Sequence, residues 1–271
     1  MILRRVQFLV IIAILGAGMM PSNGDAQDET ELAKKTQNPV SDLISLPLQS
    51  NFNFGAGREN NEMIYILNVQ PVIPLNISEN WNLITRIVTP IINQPKLFPG
   101  FDSVTGLGDI NPTFFLSPAK PGSLIWGMGP TFTLPTATDE LIGSEKWSMG
   151  PAAVALTMQG QWVIGALLNN QWSFAGNNKR SKVNQMLLQY FVNYNLPGGW
   201  YLTSSPVVTA NWAADKGRDV WTVPLGAGAG KLFRIGKLPI NTQLAAFGNV
   251  AKPEFGPDWQ LRFQIQFLFP K

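Results

Sequence analysis

An all-β fold, an antiparallel transmembrane β-barrel of about 12 strands, is predicted by three features of the chain: period-2 alternation, a polar parity almost free of charge, and short links alternating with longer ones. The C-terminal run WQLRFQIQFLFPK shows the first. Trp259, Leu261, Phe263, Ile265, Phe267 and Phe269 share one parity, and Gln260, Arg262, Gln264 and Gln266 the other. Successive side chains of a strand point to opposite faces, so this is a ribbon with one apolar and one polar face. Alone it fits a soluble sandwich with the apolar face buried as well as a barrel with that face on lipid.

Composition favours the barrel. Hydrophobic residues make up 45% of the 271-residue chain and charged residues only 14%, against about a quarter charged in ordinary soluble domains. The 25 Gly, 21 Pro and 9 Trp suit strands punctuated by turns, with Trp at sites that have one apolar and one wet end. A net charge of +3 is too small to argue for nucleic acid. Cys and His are both absent. That removes disulfides and thiolate metal sites, and also the usual general base and commonest metal ligand, so no cofactor is expected.

Taken in order, residues 1–26 have the layout of a secretory signal peptide. Arg4 and Arg5 precede an apolar run from Val6 to Ala17, and Gly24 and Ala26 supply the small residues for a cut after Ala26. The apolar run is shorter than the roughly 20 residues a helical span needs. Residues 27–42, QDETELAKKTQNPVSD, form a short polar periplasmic segment. A helix near 31–37, ended by Asn38 and Pro39, is one reading; a mobile tail is the simpler expectation. The barrel occupies 43–271. Strands are expected near 43–55, 62–75, 81–92, 105–117, 123–135, 146–158, 161–174, 183–196, 199–212, 219–230, 238–248 and 258–269.

The polar parity carries Gln, Asn, Thr, Ser and Gly rather than the Lys and Glu of a water-facing sheet. Within the strands charge reduces to Arg86, Asp109 and Arg262, with Glu62, Lys146 and Asp219 near strand ends. Such a face suits an enclosed, hydrated interior. Candidate lumen-lining residues are therefore Arg86, Asp109, Arg262, Gln264, Gln266, Gln185 and Gln189. The three charges are expected to form an interior ion-pair network that braces the wall, with solute selection as a second role.

Tight links around 78–80, 119–122, 159–160, 197–199 and the basic corner 231–237 alternate with longer ones at 58–60, 94–106, 137–145, 176–182, 214–218 and 249–256. Bacterial barrels show this asymmetry, with short turns toward the periplasm. Trp81, Trp126, Trp162 and Trp200 follow the tight turns, while Trp147, Trp172, Trp212, Trp221 and Trp259 fall at the longer-loop ends. Two membrane-interface girdles would produce that distribution. Pro71, Pro112, Pro130, Pro151, Pro206 and Pro224 lie inside the expected strands, where proline removes a ladder donor. Bulges or shorter strands are the expected remedy.

The runs NPVSDLISLPLQSNFNFG (38–55), GLGDI (106–110), PTATDELIGSEKWSMGPA (135–152), NNQWSFAG (169–176), QMLLQYFVNYNLPGGWYLTSSPVVTANW (185–212), WTVPLGAGAGK (221–231) and WQLRFQIQFLFPK (259–271) resemble the bacterial outer-membrane family labelled neuromedin U. They are also similar to outer-membrane proteins of the phenol-degradation MetA-pathway type. The resemblance implies a transporter-like channel for small hydrophobic or aromatic molecules in the outer membrane of a Gram-negative bacterium. It brings no catalytic residues. The chain departs from the terminal aromatic of many outer-membrane strands by ending Phe269, Pro270, Lys271.

Without His the common serine-hydrolase triad is unavailable, and Asp109 has no second acid beside it in the strands, so the chain is not expected to be an enzyme. GLGD at 106–109 lacks the Lys and helix of a phosphate loop, and KLFRIGK at 231–237 reads as a basic turn. A twelve-stranded bore lies between filled eight-stranded barrels and open sixteen-stranded ones; inward loops or the 27–42 segment are placed to narrow it. The expected role is passive passage of a small solute. The expected partners are lipid bilayer and lipopolysaccharide, the outer-membrane assembly machinery and the solute, without nucleic acid. The alternative is a closed structural or adhesive barrel that acts through its external loops; a soluble exported sandwich is the third possibility.

Overall fold

The computed structural model describes residues 23–215 and 217–269. The expected leader falls outside the described residues as far as position 22. The strands are β1 (Ile44–Ala56), β2 (Glu62–Val69 continuing as Val72–Asn76), β3 (Trp81–Gln94), β4 (Val104–Leu107 continuing as Asn111–Pro118), β5 (Leu124–Thr133) and β6 (Lys146–Gln159). There follow β7 (Trp162–Gly176), β8 (Asn184–Asn195), β9 (Trp200–Ser204 continuing as Val207–Asn211), β10 (Trp221–Ile235), β11 (Leu238–Ala251) and β12 (Trp259–Phe269). Three strands are interrupted once, so the fifteen hydrogen-bonded segments make a closed barrel of 12 antiparallel strands. The last strand closes on the first, from Ile44 opposite Phe269 to Phe54 opposite Trp259.

Alternation dictates which face is which. Along β12, Arg262 and Gln266 are buried while Trp259, Phe263 and Phe269 are exposed. Paired residues of antiparallel strands share a face, so Ala245 and Asn51 join Arg262 inside, and Leu244 joins Phe263 outside. The outer face carries Leu116, Met128, Ile164, Leu168 and Leu202, all exposed.

The expected basic corner at 231–237 is corrected: β10 runs on to Ile235 and the turn is Gly236–Lys237. The alternation simply continues through the charges. Leu232 points inward and is fully buried, while Ile235 is exposed outside. Gly236, at φ 60°, supplies the left-handed conformation of the turn.

Five of the six in-strand prolines fall where pairing lapses, while Pro112 pairs with Ile87 on one side and faces the sparse β4–β5 ladder on the other. Pro71 and Pro206 occupy the interruptions of β2 and β9, and Pro224 sits at a register shift. Pro130 and Pro151 face each other across β5 and β6. On the far side of Pro151, the β6–β7 ladder skips from Met149 opposite Trp172 to Ala152 opposite Asn169. The β4–β5 ladder beside Pro130 is likewise sparse. The missing donors thus coincide with gaps in the ladder. At the same place the backbone closes in: a Cβ on Gly150 would lie 1.8 Å from the Asn170 carbonyl oxygen, and one on Gly129 2.0 Å from that of Phe114.

The mobile-tail expectation for the N-terminal segment is also corrected. Helix α1 (Asn23–Thr36) docks at the tight-turn end of the barrel, and the expected cut after Ala26 falls within its first turn. Ala33 is fully buried against Leu232 and Leu268, with Leu32 packed beside them. Lys34 and Lys35 in its last turn complement the helix dipole. Thr30 Oγ1 donates to the Leu196 carbonyl (3.3 Å), and the Gln37 and Asn195 amides exchange hydrogen bonds of 2.9 and 3.1 Å. The chain then enters the barrel, where Val40 joins an apolar cluster.

Candidate functional site in the barrel interior

Two chemistries share the interior. In the tight-turn half, β3, β4 and β6–β8 direct Ile84, Phe115, Val154, Leu156, Val163, Leu167 and Phe191 inward, where they close around Val40. This filling departs from the expectation of an enclosed, hydrated interior lined by the polar parity. The signal for it lies in the sequence: AAVAL (152–156) and WVIGALL (162–168) are apolar on both parities, as a strand buried on both faces must be.

The opposite wall, β9–β12 and β1, is largely polar. Arg262 is 4% exposed. Its Nε donates to Asn51 Oδ1 (3.2 Å), Nη2 to Gln260 Oε1 (3.0 Å) and Nη1 to the Ser205 carbonyl three strands away (2.8 Å). Its guanidinium carbon lies 4.7 Å from the centre of the Phe247 ring. The row between Arg262 and β9 is Ala245 and Gly228, small residues over which a long side chain can lie flat. Tyr201 uses the same strip in the other direction. Its hydroxyl donates to Asn241 Oδ1 (2.9 Å), and a Cβ on Gly230 would stand 2.2 Å from its ring.

The other expected interior residues do not meet Arg262. Arg86 Nη2 donates to Gln70 Oε1 (2.6 Å). Asp109 lies in the interruption of β4 and holds the 137–144 loop. Its Oδ2 accepts from the Ser144 amide (2.7 Å) and hydroxyl (2.6 Å), and its Oδ1 from the Ala137 amide (3.2 Å). The expected ion-pair network is therefore not formed: both arginines take neutral partners, and the carboxylate is satisfied by a loop. Gln266 is buried and accepts from Asn241 Nδ2 (3.3 Å). Half-buried Gln264 sits between Gln49 and Gln243. Gln189, also half-buried, lies opposite Leu167. Exposed Gln185 lines a cavity of about 440 Å³ at the long-loop mouth, together with Lys179, Arg180, Lys182 and Asn211. Tyr201, Asn241, Asn51 and Phe247 went unmarked in the sequence reading; the period-2 glycines at 226, 228 and 230 were the available clue that neighbours lie across β10.

Mouth loops are tied by ion pairs. Arg218 contacts Glu254, which holds its guanidinium above the ordinary range, and Lys252 pairs with Asp258 at 2.7 Å. Outside, Trp81 and Trp126 stack edge-on at the tight-turn end (6.0 Å), as do Trp212 and Trp221 at the other (5.3 Å). Eight of the nine tryptophans are exposed.

No protein-family model and no curated protein matches the sequence. Solved structures do match in fold. The COG4313 outer membrane channel from Pseudomonas putida F1 aligns with a TM-score of 0.62 at 15% identity, covering 84% of this chain and 94% of that one. The NanC porin aligns at 0.52 and 7% identity, covering 83% and 100%. Outer membrane phospholipase A from Escherichia coli aligns at 0.41 and 13% identity, covering 93% and 99%. The last of these corrects the expectation that the chain is not an enzyme: solved barrels that it matches include one, so that exclusion is withdrawn.

Proposed function

We propose that the chain is an outer-membrane channel through which small solutes, hydrophobic or aromatic ones included, pass by diffusion. The observation that carries this reading is a closed barrel with an apolar outer face and a polar inner wall built around Arg262. Lipid would meet the first and solute the second. The printed names of two fold neighbours, an outer membrane channel and a porin, support it. In this reading residues 1–26 are removed on export, and assembly into the bilayer, with lipopolysaccharide outside, sets the tight-turn end toward the periplasm. The two tryptophan rings then lie at headgroup level. Arg86, Gln185, Gln189, Arg262, Gln264 and Gln266 line the path, and Asp109 shapes its rim.

A second reading, a closed structural barrel, is favoured by one feature: α1 and the cluster around Val40 fill the tight-turn half. Liposome swelling with graded sugars and aromatic acids separates the two. The channel reading expects swelling that falls with solute size; liposomes holding folded barrel that swell no faster than empty ones would favour the closed barrel.

A further inference from the structure

We infer that the interior wall holds a site for the carboxylate of a small organic anion, centred on Arg262 and fed from the basic mouth at Lys179, Arg180 and Lys182. The inference rests on the channel reading and names its solute class.

The partners of Arg262 carry the inference. A buried guanidinium is ordinarily held by a carboxylate, because an uncompensated buried charge is costly. Here the three acceptors are two side-chain amides and a backbone carbonyl. They fix the plane of the group without cancelling its charge. A guanidinium has five N–H donors. One each at Nε, Nη1 and Nη2 is engaged, which leaves one at each terminal nitrogen for a two-oxygen ligand. Among the described residues Arg86 also has only a neutral partner, Gln70, and Lys146, 7% exposed, has no acid within 4 Å. The acids that could neutralise this wall are occupied or remote. Asp109, held by Ser144 and Ala137, and Glu145, bonded to Asn177, keep their charges at the long-loop rim, Glu62 stands beside Ala56, and none of them pairs with Arg262 or Arg86. Around Arg262 and Arg86 the inner wall is thus positive.

The mouth has the same sign. Lys179, Arg180 and Lys182 line its cavity of about 440 Å³, which is within the range of small-molecule sites. Arg180 spends Nη2 on the carbonyls of Glu140 and Gly143, both 2.7 Å away, so its charge stays uncancelled. Clefts of one sign concentrate the opposite ion. The Phe247 ring beside Arg262 and the apolar cluster of the facing wall offer apolar surface to the rest of the solute. The matching chemistry is a small monocarboxylate with an apolar ring or chain.

The test is the reversal potential of the full chain in planar bilayers under a KCl gradient, followed by titration with sodium benzoate. Wild type is expected to prefer chloride, and benzoate to reduce the chloride current in a saturable way. Arg262→Gln should weaken the benzoate effect at least about tenfold, through loss of the charge-assisted pair of contacts, while Arg262→Lys, which keeps the charge but not the planar fork, retains only part of it. Asn51→Asp, nearly isosteric, places a carboxylate against the guanidinium and should mimic Arg262→Gln even if that variant folds poorly. Conducting channels that prefer potassium, or a benzoate effect unchanged in both Arg262→Gln and Asn51→Asp, would overturn the anion site and leave the channel reading standing. Folded barrel that conducts nothing would remove both.

Discussion

Tyr201 and Arg262 owe their positions to neighbours that have almost no side chain. Each lies flat across β10, Tyr201 over Gly230 to Asn241 and Arg262 over Ala245 and Gly228 to the Ser205 carbonyl. Tyr201→Phe should cost about 1 kcal/mol, since it removes one buried hydrogen bond. Gly230→Leu should cost about 1–3 kcal/mol or more by overpacking the ring. Urea unfolding in micelles, followed by Trp fluorescence, measures both. That Arg262 points inward was legible, because parity alone decides it. Its partners were not, because contacts that cross three strands depend on the curvature of the closed wall rather than on spacing along the chain. The same limit explains Asp109. Its inward neighbourhood could be read, but the 137–144 loop that saturates it comes from distant sequence.

At the level of elements, the twelve strands were legible because alternation, turn residues and link lengths agree. The ends of β10 and the fate of the prolines were less so. Whether Pro151 breaks a strand depends on whether its partner ladder needs the donor, and the β6–β7 ladder lapses there. Gly150→Val should accordingly lower the yield of heat-modifiable folded barrel on gels, its Cβ being forced against the Asn170 carbonyl, whereas Gly122→Ala, which meets nothing within 4 Å, should leave it unchanged. Helix α1 was misread because it is mostly polar. Among the described side chains of the helix, Leu32 and Ala33 face apolar partners, and those partners, Leu232 and Leu268, lie about 200 residues away in the chain. Ala33→Glu should free the helix by burying a charge against them. Faster trypsin cleavage after Lys34 and Lys35, with larger unitary conductance, is the expected outcome; unchanged cleavage would show that the helix is held by other contacts.

For the whole molecule, the decisive quantity is which face meets lipid. Leu244 lies midway along β11 on the outer face and Gln243 on the inner one. Leu244→Arg should cost about 2–4 kcal/mol in a bilayer and Gln243→Arg far less, as read by reversible unfolding in lipid vesicles. Closure and strand number were legible from the pattern of links. The apolar filling of the tight-turn half was legible only in part: runs apolar on both parities, such as AAVAL (152–156), mark the strands, but which side chains close around Val40 depends on the register. The central claim, that this wall conducts solute past that filling, is tested most directly by the single-channel conductance of the intact chain in a planar bilayer. Discrete, repeatable current steps on insertion of folded barrel are the result expected of a channel; electrically silent insertion of the same folded material would contradict it.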